Sequence, residues 1–217
     1  MFISIICYLS VNKRVFWLVG IVAPVFFTLA VAILGALKPR YSHVYHTISE
    51  LGETGSVTAT QSAIVFILTG LMIMTFGYGL QIRLMRGDRH VWSGILIIFY
   101  GLLDFVGSGI FPIDPGRAAL TRVSMIHVYA TLLGEFAAVS VPVWFVNDTE
   151  GLAEWSKHRL FSKRMFYLSL LWIFFLGYCI VENTPGLSGT PIGLAQRLLV
   201  GGFLFWIMVT AYRLMKK

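Results

Sequence analysis

Charged side chains are scarce in this sequence. Asp, Glu, Lys and Arg together make up 12% of the 217 residues, against about 25% in a soluble domain. Hydrophobic residues make up 57%, and the mean hydropathy is +0.79. A chain this short cannot bury that much apolar surface in one core, because a small domain keeps much of its surface exposed. The composition excludes a disordered chain and an ordinary cytosolic enzyme, and it predicts that lipid surrounds the protein.

Cysteine is also rare, and several well-known functional motifs are absent. Cys7 and Cys179 lie far apart in apolar runs, so the sequence predicts no disulfide framework, zinc site or redox pair. It contains no P-loop, GxSxG or dinucleotide-binding fingerprint. Haem is disfavoured because only His127 lies in an apolar span, and we expect His90 and His158 to be solvated. No cofactor is therefore predicted.

Long apolar runs are what the sequence does contain. A bilayer core of about 30 Å needs about 20 apolar residues in a helix. We predict an all-α fold, with residues 1–217 forming a single integral membrane domain built as a bundle of six transmembrane helices. The spans are expected at about 15–37, 61–82, 91–111, 123–146, 165–181 and 193–212, with an outer loop at 38–60. Residues 1–12 are apolar but too short to span, and we expect them to lie in the membrane interface.

Basic residues are distributed unevenly between the two ends of these spans. Twelve of the 17 Lys and Arg residues fall on the side of the chain termini, and only five fall on the other side. The positive-inside rule therefore predicts that both termini are cytoplasmic in a multi-pass protein of the plasma membrane. The net charge of +7 favours membrane lipids as partners. Nucleic acid is not expected, since no basic stripe interleaved with aromatic residues occurs.

Two predicted spans carry an acidic residue well inside the membrane, namely Asp104 and Glu135. Such a residue costs about 2.5–3.5 kcal/mol on insertion, so we expect both to face the bundle. Each belongs to a stripe of polar residues that recur every four positions on one helix face. The stripes are Tyr100–Asp104–Ser108 and His127–Thr131–Glu135. They favour either interhelical packing bonds or an outward-opening pocket that binds protons or substrate.

The outer loop contains the segment HTISELGE (46–53), which allows more than one interpretation. Thr47 and Glu50 are spaced as in a capping box at the start of a short helix that Gly52 would end. Alternatively, Ser49 is a nucleophile, or Glu50 is an acid or base, that acts together with His127. The capping interpretation is the simpler one, and both remain open.

Asp114 lies in the segment IDPG (113–116), whose composition is typical of a type II β-turn. Its simplest role is to form this turn or to pair with Arg117. Because it lies at the same membrane level as His127, it is also a candidate to orient that imidazole.

Four weaker candidates complete the set of site residues. Glu182 and Arg197 bracket the last outer loop, where we expect them to pair, although Arg197 could instead hold an anionic headgroup. His43 and His46, with His127 or Asp114, could hold a metal. Since a metal site needs three or four ligands, no metal is predicted.

These motifs resemble those of the domain of unknown function 998 family, which comprises prokaryotic six-helix membrane proteins. The similarity covers roughly residues 14–213 and is carried by HTISELGETG (46–55), GIFPIDPG (109–116) and the following His127. Its most specific parts are SELG at 49–52 and FPxD at 111–114. The resemblance implies six helices and directs attention to Ser49, Glu50, Asp114 and His127, but it brings no activity, cofactor or catalytic residue.

Three functions are compatible with this sequence, and it leaves open whether the protein is an enzyme. The first is a hydrolase-like enzyme acting on a lipid or small apolar substrate, with Ser49 or water as nucleophile and His127 as general base. The second is a proton-coupled transporter or small-solute permease that uses Asp104 and Glu135. The third is a non-catalytic sensor or lipid-binding component, in which the polar groups saturate one another.

Overall fold

The computed structural model describes residues 13–85, 90–117, 121–182 and 189–216. Within these ranges, six helices are long and apolar enough to cross a membrane, which confirms the predicted all-α bundle of six spans. The helices are α1 (Arg14–Leu37), α2 (Ala59–Leu84), α3 (Ser93–Ile110), α4 (Arg122–Asp148), α5 (Ser156–Glu182) and α6 (Ile192–Met215). The described residues form no β-strand. The interfacial position expected for residues 1–12 lies outside the described residues.

The helices form a closed ring in chain order. Each helix packs against the next one in sequence, and α6 completes the ring by packing against α1. Aromatic side chains fill the centre, where the rings of Tyr100 and Phe203 lie 4.9 Å apart and those of Phe27 and Phe105 are equally close. The outward faces are apolar as well, as Phe136 and Phe174 illustrate with 72% and 75% exposure. Helices that are hydrophobic all round are typical of membrane spans, so this is a multi-pass membrane protein.

Glycines bring α2 and α3 into close contact. A Cβ atom added to Gly70 would lie 2.6 Å from the carbonyl oxygen of Gly101, and one added to Gly101 would lie 2.8 Å from that of Gly70. Gly109 packs in the same way on Ala63 and Ile67 of α2. Both Gly101 and Gly109 therefore serve the contact of α3 with α2.

Helix α5 begins at Ser156, nine residues before the predicted span at 165–181. The additional segment is basic but amphipathic, with Lys157, Lys163 and Arg164 exposed. Its inner face carries His158, which is only 3% exposed and whose Nε2 lies 2.9 Å from the Thr210 hydroxyl of α6. The expectation that His158 is solvated was therefore wrong. The polar inner face of this segment has hydrogen-bond partners on α6, which stabilise the helix on the N-terminal side of its apolar run.

The two ends of the bundle differ in character. We call the end formed by residues 38–58, 111–117 and 189–191 the site end, because it carries the polar groups described below. The opposite end includes residues 90–92 and 149–155 and is called the basic end, because Lys13, Arg83, Lys157 and Arg213 lie at the helix ends there. There the Asp148 carboxylate accepts hydrogen bonds from the backbone N–H groups of Trp92 and Ser93, at 3.1 and 2.8 Å. This contact fixes the start of α3 against the end of α4.

Candidate functional site

A serine and a histidine that are 78 residues apart in sequence meet at the site end. Nε2 of His127 lies 3.1 Å from Oγ of Ser49, and Nδ1 of the same ring lies 2.7 Å from the backbone oxygen of Phe111. A carbonyl oxygen only accepts hydrogen bonds, so the network assigns the proton of the neutral ring to Nδ1. Nε2 is then left as the acceptor for the Ser49 hydroxyl. This is the arrangement in which an imidazole can take up a proton from a serine.

Local sequence determines where Ser49 lies. It is the first residue of a short 3-10 turn, Ser49–Gly52, in which Leu51 is completely buried. The Thr58 hydroxyl donates to the Leu51 carbonyl at 2.6 Å, and Lys38 binds the Glu50 carbonyl and, at 2.8 Å, the Glu53 carboxylate. The turn is thus attached at both of its sides to the ends of α1 and α2.

Arg197 attaches the same loop to α6. Its guanidinium donates to the backbone oxygens of His46 and Gly193, both at 2.9 Å, and to the Tyr41 hydroxyl at 2.6 Å. Tyr41 in turn donates to the Thr47 carbonyl at 2.7 Å. The side chain of Arg197, which belongs to α6, therefore binds the outer loop. Among the described residues it forms no ion pair with Glu182.

The electrostatics of this loop follow from partial burial and from the Arg197 charge. Burial raises the pKa of the Tyr41 hydroxyl above its ordinary value, while the adjacent Arg197 acts in the opposite direction. Loss of hydration lowers the pKa of His43, and the Arg197 charge lowers it further. Both effects keep these side chains neutral near pH 7. Arg197 therefore holds the loop through uncharged partners, the Tyr41 hydroxyl and two backbone oxygens.

A small pocket opens beside Ser49. It has a volume of about 20 Å³ and is lined by residues of α1, α2, α3, α6 and the 3-10 turn, so it has room for about one water molecule. Its polar lining comes from Ser49, Asp104, Ser108 and Gln196. The amide oxygen of Gln196 accepts from the backbone N–H of Ile48 at 2.6 Å, which leaves the amide nitrogen as a donor on this wall.

Asp104 lies on a π-helical turn, Gly101–Val106, that interrupts α3. Such turns occur often at functional sites. Gly134 of α4 packs directly on Asp104, since an added Cβ would lie 2.8 Å from that of Asp104. Glu135 follows Gly134, and its Oε2 is buried without a hydrogen-bond partner among the described residues. The carboxyl groups of Asp104 and Glu135 lie close enough to interact electrostatically, and Asp104 also lines the pocket beside Ser49.

Asp114 and Glu50 form hydrogen bonds that hold the loops, and none of these bonds involves the His127 ring. Asp114 accepts from the backbone N–H and the hydroxyl of Thr121, at 2.6 and 3.2 Å, at the start of α4. Glu50 accepts from the Thr47 hydroxyl at 3.2 Å, a contact between side chains that differs from the predicted capping box. Gly116 has φ 72° and ψ 9°, as the third residue of a type II turn requires. Glu182 ends α5 with an exposed side chain.

His43 and His46 do not form a metal site with other described residues. Nδ1 of His46 accepts from the backbone N–H of Ser42 at 2.9 Å, and the His46 ring stacks on Tyr41. His43 packs against Gly35. In the part of the chain that the structure describes, no three His, Cys, Asp or Glu side chains lie close enough together to hold a metal ion.

Two groups of the site were missed in the sequence analysis. The carbonyl of Phe111 orients His127, but any backbone offers carbonyls, so no sequence signal could have identified it. Gln196 could have been found, because it is an uncharged polar residue next to Arg197 near the start of an apolar span.

These features define a multi-pass helical membrane protein with a serine–histidine pair and a small polar pocket at one end. The model of the family described as "Protein of unknown function (DUF998)" matches residues 21–213. The chain belongs to this family, which confirms the resemblance inferred from its motifs. Comparisons with curated proteins and with solved structures gave no match.

Proposed function

We propose that this protein is a membrane-embedded serine hydrolase, with Ser49 as nucleophile and His127 as general base. The observation that carries the proposal is the pair of contacts of the His127 ring, to Ser49 at Nε2 and to the Phe111 carbonyl at Nδ1. The carbonyl replaces the carboxylate that orients histidine in many hydrolases. In this proposal Asp114 and Glu50 hold the loops in place and do not orient the imidazole.

In the proposed reaction a carboxylic ester is cleaved in two steps, acylation of Ser49 and hydrolysis of the acyl-serine. Oγ of Ser49 attacks the carbonyl carbon while its proton passes to Nε2 of His127; the bond to the alcohol then breaks, and the alcohol leaves with that proton. Water next attacks the acyl-serine, giving a proton to His127. The fatty acid leaves, and this proton returns to Ser49. In this proposal the amide nitrogen of Gln196, on the pocket wall, donates a hydrogen bond to the carbonyl oxygen of the substrate ester.

The proposed substrate is an amphiphile whose ester lies near the membrane surface. The pocket admits little more than a reacting group, and its other walls are apolar, with Phe27, Phe66 and Phe105. The acyl chain would therefore remain along the outside of the bundle, in lipid. With the orientation predicted from Lys and Arg, the site end faces the outer leaflet of the plasma membrane. Asp104 borders the pocket and is assigned no chemical step.

Ester turnover by the purified full-length protein tests the proposal. We would measure hydrolysis of p-nitrophenyl octanoate and of a fluorogenic phospholipid in mixed micelles, for wild type, Ser49→Ala and His127→Gln. General-base catalysis contributes about 10²–10⁴-fold, so His127→Gln should lose at least about 100-fold, and Ser49→Ala should fall to background.

Ser56→Ala is the matched control, because it removes a hydroxyl from the same loop, and the hydrogen bonds of this hydroxyl among the described residues are with Thr58 and not with Ser49 or His127. It should retain wild-type turnover. Full activity of Ser49→Ala, or no hydrolysis of any ester by the wild type, would contradict the proposal.

A further inference from the structure

A second cavity lies far from Ser49, near the basic end. It is a half-open groove of about 540 Å³ between the end of α4 and the beginning of α5. This volume falls within the range of about 300–1,000 Å³ that is typical of small-ligand sites. Its lining residues are Val143, Val146, Asn147, Glu150, Arg159, Lys163, Phe166 and Tyr167.

The groove has a basic and an apolar part. Arg159 and Lys163 are one turn apart on α5, so their side chains lie on the same helix face. Nη1 of Arg159 donates to the carbonyls of Thr149 and Leu152, at 2.7 and 2.9 Å, which fixes the guanidinium at the groove wall. Lys163 is exposed and forms no ion pair among the described residues. Val143 and Val146 of α4, together with Phe166, supply the apolar part.

We propose that this groove binds an anionic phospholipid, with the phosphate near Arg159 and Lys163 and the first acyl carbons against the valines and Phe166. A basic pocket between transmembrane helices is suited to such a headgroup, since cation and apolar wall lie side by side at the membrane surface. The acyl chains continue along exposed apolar side chains of α5, such as Leu171 and Phe174.

The charges around the groove favour this ligand over a zwitterionic lipid. Glu150 also lines the groove, but it offsets only one of the two positive charges of the lining, those of Arg159 and Lys163. The local charge is therefore positive. The positive-inside prediction places this end in the cytoplasmic leaflet, which carries anionic lipids.

The test compares two lysines of one helix. Lys163 lines the groove, whereas Lys157 is an exposed lysine of α5 outside the lining, so Lys163→Gln and Lys157→Gln change the net charge equally. Binding of phosphatidylglycerol and of phosphatidylcholine with the same chains would be measured by native mass spectrometry on the full-length protein. A third variant, Val146→Trp, fills the groove without changing its charge, and inorganic phosphate serves as a competitor.

We expect the wild type to prefer phosphatidylglycerol, and Lys163→Gln to weaken that binding about fivefold, as for the loss of one basic residue near an anionic headgroup. Lys157→Gln should weaken it less than twofold, and Val146→Trp should weaken it at unchanged charge. Phosphate alone should not displace the lipid. Equal effects of the two lysine variants would mean diffuse surface attraction, and no preference between the lipids would mean no headgroup site; either result overturns the proposal.

Discussion

Arg197 illustrates how a single charged side chain can be stabilised at the border of an apolar helix. Its two terminal nitrogens bind two backbone carbonyls and the Tyr41 hydroxyl, so the hydrogen bonds that water would supply are replaced. The Tyr41 ring also lies 5.7 Å from the guanidinium carbon, within the range of a cation–π contact. Because one of the carbonyls belongs to His46, Arg197 holds the loop that carries Ser49.

Replacing Arg197 by Met should therefore destabilise the protein. Hydrogen bonds to a charged group contribute about 1.5–3 kcal/mol each, and their loss leaves carbonyls unsatisfied, so we expect the free energy of unfolding to fall by about 2–4 kcal/mol. Denaturant unfolding in detergent micelles measures the change. Arg40→Met is the control, since Arg40 is exposed, and it should stay within about 0.5 kcal/mol of wild type. Equal losses in the two variants would show that Arg197 does not hold the loop.

At the scale of elements, α3 depends on its π-helical turn and on its contact with α2. The turn at Gly101–Val106 changes the helical phase between Tyr100 and Ser108. Tyr100 packs in the aromatic centre against Phe105 and Phe203, whereas Asp104 and Ser108 reach the pocket. Tyr100 thus packs in the aromatic centre while its side chain still interacts with that of Asp104, and Asp104 and Ser108 line the pocket.

The contact of α2 with α3 can be tested at Gly70. Alanine there would bring a methyl group 2.6 Å from the Gly101 carbonyl, and backbone atoms cannot move aside as a flexible side chain can. We expect Gly70→Ala to lower the free energy of unfolding by about 1–3 kcal/mol, as overpacking does. Gly177→Ala on α5 meets nothing within 4 Å, so it should be neutral or slightly stabilising. Unchanged stability of Gly70→Ala would contradict the close packing.

At the scale of the whole molecule, apolar run length sufficed to predict six spans, because insertion into lipid depends on local composition. Run length does not mark the start of α5, where the helix continues through residues 156–164 and His158 and Ser162 contact α6. Attention to His127 came from its position in an apolar span, and attention to Ser49 came from the segment HTISELGE (46–53) of the outer loop and from the family resemblance. Their contact was one of the interpretations that the sequence left open. The role of the Phe111 carbonyl could not be predicted, since it depends on how distant segments pack.

The serine–histidine pair is itself a property of the closed ring. Ser49 belongs to the connection between α1 and α2, His127 to α4, and Phe111 to the end of α3. The backbone N–H of Thr54 donates to the Ile113 carbonyl at 2.9 Å, which joins these connections directly. Only the assembled bundle brings the three groups together, so reactivity of Ser49 should require the folded protein.

Covalent labelling of Ser49 tests the central claim most directly. The full-length protein in detergent would be treated with a fluorophosphonate, and the modified residue and its rate of modification would be determined by mass spectrometry. We predict labelling at Ser49 in the folded wild type, at least about 100-fold slower labelling in His127→Gln, and none after denaturation. Labelling at another serine, or an equal rate at Ser49 in His127→Gln, would contradict the claim that His127 activates this hydroxyl.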